Sequence, residues 1–344
     1  MATAATVARD NKRILAINVA DLCPEDDDFT LLAQEAIVWR GFSGLPSNAL
    51  ERKVRGVRMS RYRAAFQAAA ALRPERLIIS HLPAMTAAAS TAMALMGKHN
   101  RHLAFSFNFT SLPTGRRLTY MRRALRNVEQ FAVFSAFEKP LYARHFDLDP
   151  AKIKPVIWTQ DVPAVQTTPG LPLGAPYCCA IGGEGRDFKS LIEAARRAQS
   201  VRFVVIARPH SFTGLAIPDN VQVLSNIPSE RVWRIAQDSL GVLVPLKSQD
   251  TCCGHITLVS AKMLGLPVIT TFSHATQEYV EKREGVLVCE PGDPAALASL
   301  VVRLADEHRQ IRSAAQNAAE HERAVHDRSQ WADYLRTFIA RKTK

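Results

Sequence analysis

Residues 242–268, VLVPLKSQDTCCGHITLVSAKMLGLPV, decide how the chain is read. A buried strand over 242–246 gives way to a polar loop. A helix is then entered through Gly254, His255, Ile256 and Thr257, and Gly265 and Pro267 lead into another strand at 268–271. A helix that begins at the carboxyl end of a strand turns its first N–H groups and its positive dipole end toward the crevice, a setting suited to a diphosphate. Read more plainly, the stretch is an ordinary βαβ unit with a glycine turn, and taken alone it leaves both readings open.

Upstream, the string YCCAIGGEGRDFKSLIEA (177–194) reads as strand, glycine loop and helix, with Gly182, Gly183 and Gly185 followed by Arg186 and Lys189. Glycines let a backbone approach a phosphate and cations neutralise it, although the spacing matches neither the dinucleotide fingerprint nor the Walker loop. RFVVIARPHSF (202–212), NVQVLSNIPSERVWRIAQDSLGVLVPL (220–246) and EYVEKREGVLVCEPGDPAALA (278–298) continue the βα rhythm, which predicts a parallel, doubly wound sheet.

The first half has the same rhythm in a more basic key. RILAINVA (13–20) suits a first buried strand, the acidic run of Asp21, Glu25, Asp26, Asp27 and Asp28 follows it, and LLAQEAIVWRG (31–41) starts a helical pattern. Asp26 to Asp28 read as solvated capping residues, whereas Asp21 sits just past a strand end. In RLIISHLP (76–83), His81 falls at the carboxyl end of a strand, where α/β sheets gather ligands, although a lone histidine is as often structural. A small-residue helix over 84–96 and a strand in HLAFSFNFTSLP (102–113) precede a basic amphipathic helix. That helix carries Arg116, Arg117, Arg122, Arg123 and Arg126 beside an apolar stripe; it is either a solvated surface helix or a platform for an anionic membrane.

Composition bounds the rest. At 344 residues with 47% hydrophobic residues the chain favours two domains. Residues 1–170 hold 23 Lys and Arg against 14 Asp and Glu, so of the formal +12 the first half carries +9. Such a surface admits nucleic acid, membrane or a phosphorylated acceptor, but no arginine run is interleaved with aromatic platforms, which argues against nucleic acid. No apolar run reaches the roughly 18 residues of a membrane span. The first thirteen residues, MATAATVARDNKR, lack a signal-like apolar core. The six cysteines include the adjacent pairs 178–179 and 252–253 and no metal spacing, so a reduced cytoplasmic protein is expected. The Pro- and Thr-rich text at 153–176 reads as an interdomain linker. It divides a first domain, 1–165, from a second, 166–325, and an amphipathic helix in 326–344 is expected to pack back across them.

Taken in order, the GG-x-G-RDFKSLIEA, NVQVLSNIPSERVWRIAQDSLGVLVPL, SAKMLGLPVITT and EYVEKREGVLVCEPGDPAALA segments resemble the GT-B glycosyltransferases, in particular the retaining class that includes sucrose and glycogen synthases. The resemblance covers the second half and, more loosely, RLIISHLP and HLAFSFNF in the first. It implies two Rossmann-like domains facing across a cleft and a nucleotide-sugar donor on the second. The donor would meet Gly183, Arg186, Lys189 and Arg208, the base Ile227, and the diphosphate Gly254, His255, Ile256 and Thr257. The class places a ribose-binding glutamate where Ser260 stands, and another carboxylate near Cys252 or Asp250. This leaves retention or inversion open, with Glu278 a substitute carboxylate. A catalytic base would come from His81, Asp21 or Glu138. No metal and no cofactor is implied, the nucleotide sugar being a substrate. The resemblance therefore implies a metal-independent hexosyltransferase acting on a polysaccharide or lipid-linked acceptor from the cytoplasmic face of a membrane. A non-catalytic nucleotide- or glycan-binding module of the same shape and a sugar-nucleotide epimerase are the alternatives.

Overall fold

The computed structural model describes residues 13–22, 28–53, 59–171, 176–183, 185–281 and 283–341. Two six-stranded parallel sheets organise the chain. The first contains β1 (Ile14–Ala20), β2 (Ile37–Ser43), β3 (Leu77–His81), β4 (His102–Phe105), β5 (Gln130–Val133) and β6 (Ile153–Pro155) in the order β2-β1-β3-β4-β5-β6. The helices α1 (Ala49–Lys53), α2 (Met59–Ala70), α3 (Pro83–Leu95), α4 (Gly115–Leu125) and α5 (Glu138–Phe146) connect its strands. The second contains β7 (Tyr177–Ile181), β8 (Arg202–Ile206), β9 (Val221–Leu224), β10 (Val242–Val244), β11 (Val268–Thr271) and β12 (Val286–Cys289), ordered β12-β11-β10-β7-β8-β9. Around it run α6 (Phe188–Arg197), α7 (Ser229–Gln237), α8 (His255–Met263), α9 (Gln277–Val280), α10 (Pro294–Asp306) and α11 (His308–Val325). The final helix, α12 (Ser329–Ala340), lies on the first sheet.

Strand periodicity assigns each side chain to a face. In β3, Ile78 joins the alanine-rich face of α2 and α3, while Leu77 and Ile79 join Phe105 and the α12 residues Leu335 and Phe338 on the other face. In β7, Cys178 packs with α6 and α10 and Cys179 with α7 and α8. The adjacent cysteines therefore point to opposite faces as small core apolar groups, and burial pushes the Cys178 thiol up to about 12.

One local expectation fails. The text after the acidic run forms only a 3₁₀ turn, Asp28–Leu31, and then the edge strand β2, in register with β1. Ile37, Val38 and Trp39 favour a pleated surface, and pairing with β1 outweighs the short helical pattern. Glu25, Asp26 and Asp27 lie outside the described residues; Asp28 pairs with Arg328 at 3.0 Å.

Both strand orders contain a reversal: chain progression runs outward in opposite directions from β1 and β3 in the first sheet and from β7 and β10 in the second. Loops that leave adjacent strands toward opposite sides open a crevice at such a point. Residues 182–183, 185–187 and 245–254 flank one crevice, and Asp21 and Leu82 flank the other. The two are held facing each other by contacts between the domains. The Tyr279 hydroxyl donates to the Phe134 carbonyl at 2.7 Å and accepts from Trp158 N at 2.8 Å. Glu278 accepts from Ala136 N at 2.7 Å, and Asn108 Nδ2 donates to the Cys252 carbonyl at 3.2 Å.

Candidate active site in the interdomain cleft

A cavity of about 350 Å³ lies between the two switch points. From the second domain Gly182, Gly183, Arg186, Cys253 and the first residues of α8 line it; Leu82, Ser106 and Asn108 come from the first domain and Trp158 from the linker.

The second-domain wall follows from local sequence. Gly182 and Gly185 take φ values of +119° and +68°, in the left-handed region that glycine enters without strain. A β-carbon at Gly185 would come within 2.2 Å of Cys253 Sγ, so the loop closes onto residues 251–253 only because this position has no side chain. Arg186 is pinned through its backbone, which bridges to Leu246, and through its side chain. Its Nε donates to the Ile181 carbonyl at 3.1 Å and its Nη2 to Thr257 Oγ1 at 3.1 Å. Burial lowers the Arg186 pKa, yet a guanidinium remains charged at neutral pH. Asp187 caps α6 by accepting from Ser190 N, which turns the chain away from the cleft directly after the arginine.

Gly254, at φ +105°, caps α8. The first i to i−4 bond of that helix runs from Leu258 N to the Gly254 carbonyl at 3.0 Å, so the amides of His255, Ile256 and Thr257 form the open first turn. His255 is buried and hydrogen-bonds the Ala275 carbonyl through Nε2 at 3.0 Å; desolvation lowers its pKa to about 4. The helix end thus adds a dipole but no imidazolium, and the guanidinium beside it supplies the full charge.

The first-domain wall is different. His81 closes β3, is buried, and donates from Nε2 to Asn18 Oδ1 at 2.8 Å, with Phe29 edge-on at 4.5 Å. Desolvation lowers its pKa to about 4, so it is a neutral imidazole at physiological pH. Its neighbour Leu82, not His81, reaches the cavity.

Other residues singled out from the sequence sit elsewhere. Asp21 forms an ion pair with Arg61. Glu138 is fully buried behind the cleft and accepts from Phe134 N, Ser135 Oγ and Tyr142 Oη at 2.9, 3.0 and 2.7 Å; desolvation nevertheless pushes it up to about 7. Lys189 is exposed on α6, Arg208 is an exposed residue whose stem lies near Gly183, and Ile227 packs against the core on the α7 and α8 side. Ser260 is buried, with its hydroxyl held by Gln160 Nε2 at 2.5 Å. Glu278 is engaged by Ala136 N. Arg116, Arg117, Arg122, Arg123 and Arg126 are exposed on and just after α4. The sequence did not flag Leu82, Ser106 and Trp158; the signal present was a strand end followed by Leu82-Pro83.

Comparison with known proteins places this geometry. A family model described as Glycosyl transferases group 1 matches residues 181–307, the span that holds the glycine loop, Arg186 and α8. Among curated proteins no sequence match was found. Among solved structures, sucrose-phosphate synthase from Thermosynechococcus elongatus superposes with a TM-score of 0.73 at 14% identity, over 95% of this chain and 98% of that one. HepE from Anabaena, solved in complex with UDP and glucose, gives 0.72 at 12% identity over 95% and 100%. A trehalose-phosphate synthase from Burkholderia vietnamiensis gives 0.67 at 15% identity over 95% and 96%. The chain therefore has the GT-B fold, and its residues 181–307 are similar to the group 1 glycosyl transferases.

Proposed function

We propose that the protein transfers a sugar from a nucleoside diphosphate donor to a glycan or lipid-linked acceptor. The observation that carries this reading is the convergence of Arg186, the glycine loop and the first turn of α8 on one cavity at the domain boundary. As the acceptor hydroxyl oxygen bonds to the anomeric carbon, the bond from that carbon to the diphosphate breaks, and the diphosphate departs with the electron pair while the hydroxyl proton is released. A guanidinium and oriented amides stabilise that growing charge without reorganising, so the reaction is proposed to run without a metal. Gly183, Gly254, His255, Ile256 and Thr257 would hold the diphosphate. His81, kept neutral and hydrogen-bonded to Asn18 behind the cavity wall, would hold the strand end that carries Leu82 in place rather than touch the sugar or acceptor.

HepE was solved with UDP and with UDP-glucose, which makes uridine the first nucleotide to try. A thermal-shift panel of UDP, GDP, ADP and CMP sugars, with and without EDTA, should show one nucleotide raising Tm, followed by transfer or donor hydrolysis. No response to any of them would sink the proposal. Binding with no turnover over any acceptor would point instead to a non-catalytic module of the same shape.

The exposed arginines of α4 support docking on an anionic membrane at the cytoplasmic face, where a lipid-linked acceptor would be met. No helix of the described residues is long and apolar enough to cross a membrane. Flotation with acidic liposomes should show binding at low salt that is lost at high salt, and absence of binding at low salt would rule the contact out.

A further inference from the structure

Leu82 holds a backbone conformation that leucine avoids. Its φ of 68° and ψ of 147° fall near a region that is almost exclusively glycine's, and it precedes Pro83, whose ring disfavours helical geometry at Leu82 and leaves extended conformations of negative φ. The surrounding bonds enforce the strain. Leu82 N donates to the Phe105 carbonyl at 3.2 Å, and the Leu82 carbonyl accepts from both Thr86 N and Thr86 Oγ1 at 3.0 Å, which ties this residue to β4 and to the first turn of α3. Glycine would make the same turn without cost. The chain instead keeps a branched apolar side chain there, and 45% of Leu82 is exposed, at the wall of the cavity. Facing it from the other domain, in the first turn of α8, Ile256 is 58% exposed, and Trp158 lines the same space.

Two apolar side chains left in solvent on opposite walls of one cation-bearing cavity are a cost that a ligand with an apolar part removes. Resting on the transfer reading above, we infer that Leu82 and Ile256 are specificity-determining residues, which select an acceptor whose hydroxyl-bearing ring carries an apolar substituent, alkyl or aryl. A free sugar or a sugar phosphate would leave both side chains uncovered. Arg186 and the first-turn amides of α8 belong to the donor side of the cavity and the side chains of Leu82 and Ile256 to the acceptor side, so the donor and acceptor preferences are separable.

The test uses the full chain with saturating UDP. Calorimetry would compare methyl, octyl and phenyl glycosides of glucose, galactose and mannose, together with glucose 6-phosphate. We expect the octyl or the phenyl glycoside of at least one sugar to bind at least tenfold more tightly than its methyl counterpart and than glucose 6-phosphate; whichever wins tells a lipid chain from an aromatic aglycone. Leu82→Gly should erase that preference with Tm unchanged or higher, and Ile256→Ser should reduce it independently. Equal affinity for methyl and substituted glycosides, no binding of any glycoside, or an equal loss for all acceptors in Leu82→Gly would overturn the inference. The last result would make Leu82 a contact of domain closure instead. The nucleotide response, read separately by thermal shift, tells failure of this inference from failure of the transfer reading: without it both fall.

Discussion

The two walls of the cleft solve opposite problems. The second-domain wall gathers charge: a buried guanidinium, three left-handed glycines and an open helix turn lie together in the loops that follow β7 and β10. The first-domain wall carries none of that charge into the cavity and presents Leu82, Ser106 and Asn108 beside a neutral His81. The difference teaches where each kind of recognition resides. On the proposed transfer, a diphosphate, common to all nucleoside diphosphate sugars, would be held by backbone and one cation. An acceptor varies, and on the same proposal it would be read by side chains such as those of Leu82 and Ile256.

The most damaging change to this contrast should be Arg186→Ala. Removing a buried cation from a diphosphate contact costs about 3 kcal/mol, roughly a hundredfold in Kd. Arg186→Lys should not rescue it, since one ammonium cannot span the Ile181 carbonyl, Thr257 Oγ1 and an anion in the same geometry. Titration with the nucleotide found by thermal shift checks this, with Tm measured alongside, and an unchanged Kd would break the comparison.

A smaller effect comes from a feature both walls share. His81, His255 and His102 are buried and neutral, with pKa values lowered from 6.5 to about 4, 4 and 3 by desolvation. The unfolded chain then binds the extra protons, so their contribution to stability is present above pH 6.5 and lost as pH falls through about 4. Glu138, raised from 4.5 to about 7, acts the other way: its contribution is full below 4.5 and lost as pH rises through 7. Three groups outweigh one, so Tm should climb between pH 4 and 6.5 and level off above about 7. His81→Gln should remove about a third of the histidine-driven slope. A flat Tm between pH 4 and 6.5 would show that these imidazoles are not buried as described.

The smallest effect is expected at Lys189. It is exposed on α6 and outside the cavity lining, so Lys189→Ala should change nucleotide Kd by about twofold or less, within what screened surface charges supply. A tenfold loss would extend the charged wall beyond the cavity seen here.

How far the sequence could be read follows the same division. Gly182, Gly185, Arg186, Gly254 and the first turn of α8 were legible because a strand, a glycine and a helix start lie within a few residues of one another, and local geometry aims them. Lys189, three residues past Arg186, was grouped with it, but the Asp187 cap turns α6 outward and leaves the lysine in solvent. Glu138 looked like a helix-start carboxylate free to face the cleft. Tertiary packing instead folds Tyr142 and Ser135 over it. Ser260 could be recognised as a departure from the resembling class, yet its occupation by Gln160, a hundred residues earlier, is visible only in the fold.

By itself, then, the sequence determined the parallel α/β architecture, because alternating buried strands and amphipathic helices have few other ways to bury their apolar faces. It also marked the glycine-led turns that line the cavity, because their geometry is carried by neighbours in the chain. Only the tertiary structure decided the order of the strands, and with it where the switch points meet. It also decided that Leu82 and Ile256, 174 positions apart in the numbering, face one cavity. Contacts of that range depend on how two sheets are set against each other through Tyr279, Trp158 and Phe134, and local patterns carry no record of such an arrangement.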